Sequence, residues 1–339
     1  MIEDARVLRA GFVPREVEHR DPEVNHLSSV LEPITRGEPA DTALLTGPSG
    51  AGKTCIAKFT VDRLRQRHLD VEYQYVNCWQ NHSHYRAAYR VLEGLGRTVD
   101  IHRQSTPRDE LTERLRDYAG SPVVVVLDEV DQLDDKRLLY DLHAMPQFSM
   151  VLIANREEEL FAGMDERVTS RLTGGERIRF DRYALDELVS ILEARARWGL
   201  EPDAIHRAEL ERIADAAAGD ARVAISVLRT AARHARDDGA DRITEENVSS
   251  AVPEARAEVH RKSLDSLTSH QRALYEVIEA RGEVEPADLY AAYRERVDDP
   301  KSDRTVRNYL QKMAQYDLVV AEGTSRDRVY RLPERLAAV

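Results

Sequence analysis

The sequence predicts an α/β domain built on a parallel sheet, followed by an all-helical domain and a C-terminal winged helix. Three features lead to this reading. Short apolar strands alternate with helical segments from Ala43 to Ala154. After Phe180 the periodicity becomes purely helical. From about Ser263 three further helices lead into a two-stranded ribbon. Boundaries are therefore expected at residues 1–181, 182–262 and 263–339, a length that suffices for three domains.

Taken in order, residues 27–36 read as a helix with Leu27, Val30, Leu31 and Ile34 on one face. Ala43–Thr46 reads as a strand and Lys53–Arg67 as a helix. Val71–Val76 is a second strand, and Tyr85–Leu95 and Leu111–Tyr118 are helical. Val123–Leu127 is a strand without a polar side chain, Leu138–Leu142 is helical, and Met150–Ala154 is another apolar strand. Strands apolar on both faces suit a parallel sheet covered on each side by helices.

The helical domain reads as Ala184–Trp198, Ile205–Ala218, Ala221–Ala235 and Thr244–Val259. Trp198 is expected in its core. Arg256–Lys262 reads as a basic helical linker. The last domain reads as helices Gln271–Ala280, Pro286–Arg296 and Asp303–Gln315, with strands Leu318–Ala321 and Val329–Leu332. Pro286 suits the first turn of its helix.

Composition excludes several classes. With 42% apolar and 32% charged residues the chain reads as globular. Its longest apolar runs, Pro122–Leu127 and Met150–Ala154, are too short to span a bilayer. MIEDARVLRA has no export signal, so a cytoplasmic location and no membrane partner are expected. Cys55 and Cys78 give neither a disulfide framework nor a metal spacing, and His82 and His84 are not read as a metal site. The formal net charge is −12, with lysine only at 53, 58, 136, 262, 301 and 312 among 49 basic residues. An acidic, arginine-rich chain suits high internal salt, and a high-GC genome also favours arginine.

The most specific motif is GPSGAGKT, Gly47 to Thr54, placed directly after a strand and opening a helix. Its glycines let successive backbone N–H groups point at phosphate, and the helix dipole favours the anion. Lys53 is expected to neutralise the β- and γ-phosphates, and Thr54 to ligate Mg²⁺. In VVVVLDEVDQL a buried strand ends in Asp128 and Glu129. Asp128 suits hydrated Mg²⁺, and Glu129 suits polarisation of the attacking water. A neighbouring strand ends in Asn155, an amide able to orient that water. Arg167 and Arg171 follow at i, i+4 spacing. Arg222 opens a helix, where a cation opposes the dipole and an anionic partner would compensate it.

The helix Asp303–Gln315 carries Val306, Leu310 and Met313 as an apolar stripe. Its polar side holds Arg304, Thr305, Arg307, Asn308, Gln311, Lys312 and Gln315, an inventory suited to phosphates and base edges in a major groove. The wing turn offers Arg326 and Arg328. From Arg294 to Arg331 there are nine basic and seven acidic residues, so this end is locally positive within an acidic chain.

Together these residues resemble the AAA+ ATPases, and within them the replication-initiator family of origin recognition complex subunit one and cell division control protein six. VLRAGFVPREVEHRDPEV is similar to the family's N-terminal signature, and YVNCWQNHSHYRAAYRVLEGLG to its strand and initiator-specific helical insertion. LDEVDQL, the strand ending in Asn155, ERVTSRL and GDARVAISVLR follow the family order. The resemblance implies an AAA+ domain, a helical lid and a winged helix, with ATP/ADP and Mg²⁺ as cofactors.

It further implies that Gly47, Pro48, Ser49, Gly50, Ala51, Gly52, Lys53, Thr54 and Cys55 surround the nucleotide phosphates. Phe12, Val13, Pro14 and Arg20 would hold the adenine. Asn155 would be sensor one and Arg222 sensor two. Arg171, or alternatively Arg167, would be an arginine finger acting on a neighbour's ATP during self-association on DNA. Implied partners are duplex origin DNA and the replicative helicase, with a nucleoid-associated location. FDRYALDEL lacks the proline usual before the tyrosine, the chain is short for the family, and REEELFAGMDER is unusual. The alternative expectation is an ATP-liganded transcription regulator or a non-initiating paralogue.

Overall fold

The computed structural model describes residues 1–68, 70–102, 106–161, 164–324 and 328–333. Five parallel strands form the first sheet: β1 (Ala43–Thr46), β2 (Glu72–Asn77), β3 (Val123–Asp128), β4 (Phe148–Ala154) and β5 (Glu176–Arg179), in the spatial order β2-β3-β4-β1-β5. Every residue of β3 and β4 is buried, as parallel strands require when helices cover both faces. Two apolar clusters lie on opposite faces, one around Val125, Leu127 and Leu152, the other around Leu45, Val126 and Ile153. Their alternation along β3 follows the period of two in a strand.

Register positions the site. Thr46 pairs with Ala154, Ile153 with Asp128, and Asp128 with Asn77. The carboxyl ends of β1, β4, β3 and β2 thus form one ledge, and the phosphate loop, Asn155 and the Asp128–Glu129 pair all leave from it.

Helices α1 (Asp21–Leu31), α2 (Lys53–Arg67), α3 (His84–Gly94), α4 (Arg108–Arg116), α5 (Arg137–His143), α6 (Glu157–Phe161) and α7 (Glu166–Thr173) surround this sheet. The first begins six residues earlier than periodicity suggests, because Pro22 fits its opening turn. Strand β5 gives no periodic signal: only Ile178 of Glu176–Arg179 is buried, and its charged residues mark an edge strand.

The lid comprises α8 (Leu185–Gly199), α9 (Arg207–Ala217), α10 (Ala221–Asp237) and α11 (Glu245–Asp265). Its core includes Leu188, Leu192, Ile213, Val227 and Leu228. The chain's first residues pack here rather than with the sheet. Ile2 bridges to Leu200, Leu8 is fully buried in the lid core, and Arg195 donates to the carbonyls of Val7 (2.8 Å) and Phe12 (2.9 Å). Trp198 is 70% exposed, which corrects the core placement expected for it; Leu188, Val189, Leu192 and Arg195 occupy the inward face of its helix. The basic linker is no break, since α11 runs through it to Asp265.

The last unit contains α12 (Ser269–Arg281), α13 (Pro286–Arg296) and α14 (Asp303–Gln315). Its sheet has three strands, not two. β6 (Glu283–Val284) pairs antiparallel with β8 (Val329–Arg331), which pairs with β7 (Val320–Glu322). Leu274, Ile278, Leu289, Tyr293, Val306, Leu310 and Met313 fill the core. Trp79, from the loop after β2, inserts into the same cluster at 4% exposure and fastens this unit to the α/β domain. Among the described residues no helix is long and apolar enough to cross a membrane.

Candidate active site

The phosphate loop leaves β1 at Gly47 and ends where Gly52 opens α2. Gly50 and Gly52 have φ of 77° and 95°, the left-handed region that disfavours side chains. Both also stand where a side chain has no room. A Cβ on Gly50 would lie 2.1 Å from the Asp220 carboxylate, and one on Gly52 would lie 2.4 Å from the Tyr183 hydroxyl. Asp220 caps α10 by accepting from the backbone N–H of Arg222 (2.8 Å) and Val223 (3.2 Å). The Ala221 N–H donates to the Gly50 carbonyl (3.2 Å). The lid therefore sits on the phosphate loop.

Lys53 is buried and folded back along its own loop. Its ammonium donates to the carbonyls of Gly47 (2.7 Å) and Pro48 (2.8 Å) and to Asn155 Oδ1 (3.1 Å). Burial pulls its pKa down to about 8, although Glu129 and Asp128 partly offset that. Phosphate oxygens entering beside it would favour the charged form again.

Thr54 Oγ1 donates to Asp128 Oδ2 (2.7 Å), and the Tyr75 hydroxyl donates to the same oxygen (2.8 Å). Burial and the neighbouring Glu129 raise the Asp128 pKa, against these two donors. Hydroxyl plus carboxylate is the donor set of a Mg²⁺–nucleotide site, which needs one or two protein ligands beside phosphates and waters. Among the described residues no group of three or more His, Cys, Asp or Glu side chains is placed to hold a metal by itself.

Glu129 has φ 57° and ψ 40°, a left-handed conformation that costs a non-glycine residue about 1–2 kcal/mol. Its carboxylate accepts from the Lys312 ammonium and the Tyr316 hydroxyl. Asn155 is buried between Lys53 and the Gln315 side chain, donating to Gln315 Oε1 (3.1 Å). Arg222 is half-buried, paired with Asp220 (2.9 Å), with its guanidinium 5.7 Å from the Tyr316 ring centroid.

The structure thus brings Lys53, Thr54, Asp128, Glu129, Asn155 and Arg222 to one ledge beneath the lid. Arg167 and Arg171 are exposed on α7, with Arg171 stacked over Tyr140 (4.5 Å). Of the N-terminal residues, Phe12 lies under the Arg195 guanidinium (5.1 Å), and Val13 packs against the sheet's second cluster. Pro14 is half-buried. Arg20 stacks on Tyr183 (4.2 Å) and donates to Glu23 (2.7 Å) and the Asp181 carbonyl (2.6 Å), an interior brace. Cys55 is half-buried one residue beyond Thr54.

On the C-terminal unit, Arg304, Arg307, Asn308, Gln311 and Arg328 are exposed, and Thr305 is partly so. Arg326 lies outside the described residues. Lys312 is corrected: it is 2% exposed, held between Glu129 and Asp131 (3.1 Å), and has no open face for DNA. Burial works against its charge, but the two carboxylates outweigh that and raise its pKa. Sequence reasoning missed Tyr75, Asp131 and Tyr316. Asp131 stands two residues from Glu129 and Tyr316 directly follows Gln315, but only tertiary contact reveals what they touch.

A family model for the AAA domain matches residues 36–161, and one for the Cdc6 AAA+ ATPase-type lid domain matches residues 189–252. ORC1-type DNA replication protein 9 of Halobacterium salinarum is 56% identical over 337 residues, covering 99% of this chain and 95% of that protein. ORC1-type DNA replication protein 1 of the same organism is 56% identical over 308 residues, 91% of this chain and 100% of that protein. The structure of the Aeropyrum pernix ORC1 protein in complex with DNA superposes with a TM-score of 0.76 at 27% identity, covering 97% of this chain and 92% of that one. Sequence identity along nearly the whole length, the lid match and the ledge of nucleotide-site residues agree, and the chain belongs to the ORC1/Cdc6 family of AAA+ DNA replication proteins.

Proposed function

We propose that this chain is an ATP-dependent replication initiator. It binds duplex origin DNA through the winged helix, helps recruit or load the replicative helicase, and uses hydrolysis to end the bound state. The observation that carries this reading is the single ledge joining a phosphate-loop lysine, a hydroxyl–carboxylate pair, a strained glutamate and a lid arginine. It lies on the same chain as a helix whose first half exposes Arg304, Arg307 and Asn308.

For catalysis, Lys53 turns from the Gly47 and Pro48 carbonyls to the β- and γ-phosphates. Thr54 and Asp128 would hold Mg²⁺, with Tyr75 fixing the Asp128 carboxylate. Mg²⁺, when bound, neutralises charge on the phosphate oxygens. Glu129 and Asn155 orient the attacking water, and Arg222 brings positive charge from the lid. Exposed Arg171 suits a finger acting on a neighbouring copy.

For DNA, support comes from the exposed arginines and from the A. pernix relative, whose structure is of a complex with DNA. Replacing Arg304 and Arg307 together with Ala is expected to weaken duplex binding. It should also flatten the salt dependence of log K by about 0.9 for each phosphate left without its arginine. Fluorescence anisotropy across a salt series reads both quantities. Unaltered affinity and slope would move the DNA interface off this helix.

A further inference from the structure

The helix expected to read DNA has its second half in the hydrolysis site. Lys312 and Tyr316 occupy the two carboxylate oxygens of Glu129. Gln315 accepts from Asn155 (3.1 Å) and donates to Glu159, while Gln311 also donates to Glu159 (2.7 Å). Trp79 locks the arrangement. Its ring meets Tyr316 edge-on at 4.6 Å, and its indole N–H donates to Gln271 (2.9 Å), which in turn donates to Gln132 (3.3 Å). Four segments of the α/β domain therefore hold the winged helix: the loop after β2, the loop after β3, Asn155 just past β4, and α6.

With one carboxylate oxygen accepting from an ammonium and the other from a phenol, Glu129 presents neither oxygen freely to a water. Asn155 is likewise occupied. We infer that α14 is a plug, its second half holding Glu129 and Asn155 out of use so that hydrolysis requires the winged helix to leave the α/β domain. This rests on the role proposed for Glu129.

The same side chains make the plug answer to DNA. Lys312 and Gln315 cannot meet a duplex while they meet Glu129 and Asn155, so docking and full engagement of the helix with DNA draw on one set of groups. Two ligation states that exclude each other are linked reciprocally. A duplex favours the undocked form and raises turnover, and loss of the plug strengthens duplex binding.

The test measures steady-state ATP hydrolysis with and without duplex DNA, for the full chain and for Lys312→Met, Tyr316→Phe and each combined with Glu129→Gln. Tyr316→Phe removes one oxygen and keeps the ring against Trp79, so it guards against a folding defect in Lys312→Met. The expected result is a rise in DNA-free turnover of about tenfold for Lys312→Met and several-fold for Tyr316→Phe, with less further stimulation by duplex. Unchanged or lower turnover in both overturns the plug. Turnover surviving Glu129→Gln would instead remove Glu129 from the chemistry, a distinguishable failure.

A second readout is the fluorescence of Trp79 in a Trp198→Phe background, where it is the only tryptophan. Duplex is expected to shift its emission to the red as the indole leaves the winged-helix core. No shift at saturating duplex overturns the link to DNA.

Discussion

At the residue scale, the proposed chemistry rests most heavily on Glu129. It follows a strand buried at every position, stands in left-handed backbone, and adjoins the Asp128 carboxylate that Thr54 holds. Glu129→Gln keeps the shape and removes the charge. It is expected to leave nucleotide affinity within about twofold and to lower turnover by about 10²–10⁴, the range for loss of a general base. Filter binding and phosphate release measure the two, and normal release would refute the assignment. The phosphate-loop and strand-end residues were legible because their geometry is local: a loop that wraps phosphate is one continuous segment. Tyr75 was not legible. It reaches Asp128 only because β2 and β3 are neighbours in register. Lys312 misleads for the converse reason. A lysine on a helix reads as solvated until the fold sets two carboxylates against it.

Elements were legible where their apolar pattern left one way to bury. The apolar strands β3 and β4 had to be covered on both faces, and the stripe of Val306, Leu310 and Met313 on one. The edge strand β5 and the two-residue β6 escape detection, because β5 exposes three of its four side chains, β6 is too short to show a period, and both are defined by backbone pairing. Helix α14 shows how far an element's sequence can mislead about its role. Its apolar stripe is plain in the sequence, yet its polar residues divide between solvent and the nucleotide site. Leu310 is fully buried in this small core. Leu310→Ala is expected to destabilise the winged helix by about 2–5 kcal/mol, lowering a melting transition seen by calorimetry and weakening duplex binding. Retention of ATP binding would place the damage in this element alone, whereas an unchanged melt would mean the core packs differently.

At the scale of the whole molecule, three units meet at one place. The lid rests on the phosphate loop through Asp220 and Ala221, the N-terminal segment runs from the lid core to the sheet, and the winged helix closes the remaining side. The order of the units was readable from changes in periodicity, while their convergence was not, since it depends on side chains more than 150 positions apart. The net charge of −12 does not oppose DNA binding. Between exposed charges the Debye length is about 3 Å at molar salt, so under the proposed reading local groups on α14 and the wing would decide the potential a duplex meets. The same screening weakens phosphate contacts, which shifts the weight of recognition to base edges.

If the molecule is an ATP-gated initiator, it must occupy the sites where replication starts, and must do so in a nucleotide-dependent way. Genome-wide mapping of the DNA it occupies in cells, for the native chain and for Lys53→Ala, decides the matter. Occupancy is expected to concentrate at replication start sites with inverted repeats and to be lost or sharply reduced in Lys53→Ala. Occupancy confined to promoters away from any start site, or indifferent to Lys53, would overturn the initiator reading and favour a transcription regulator.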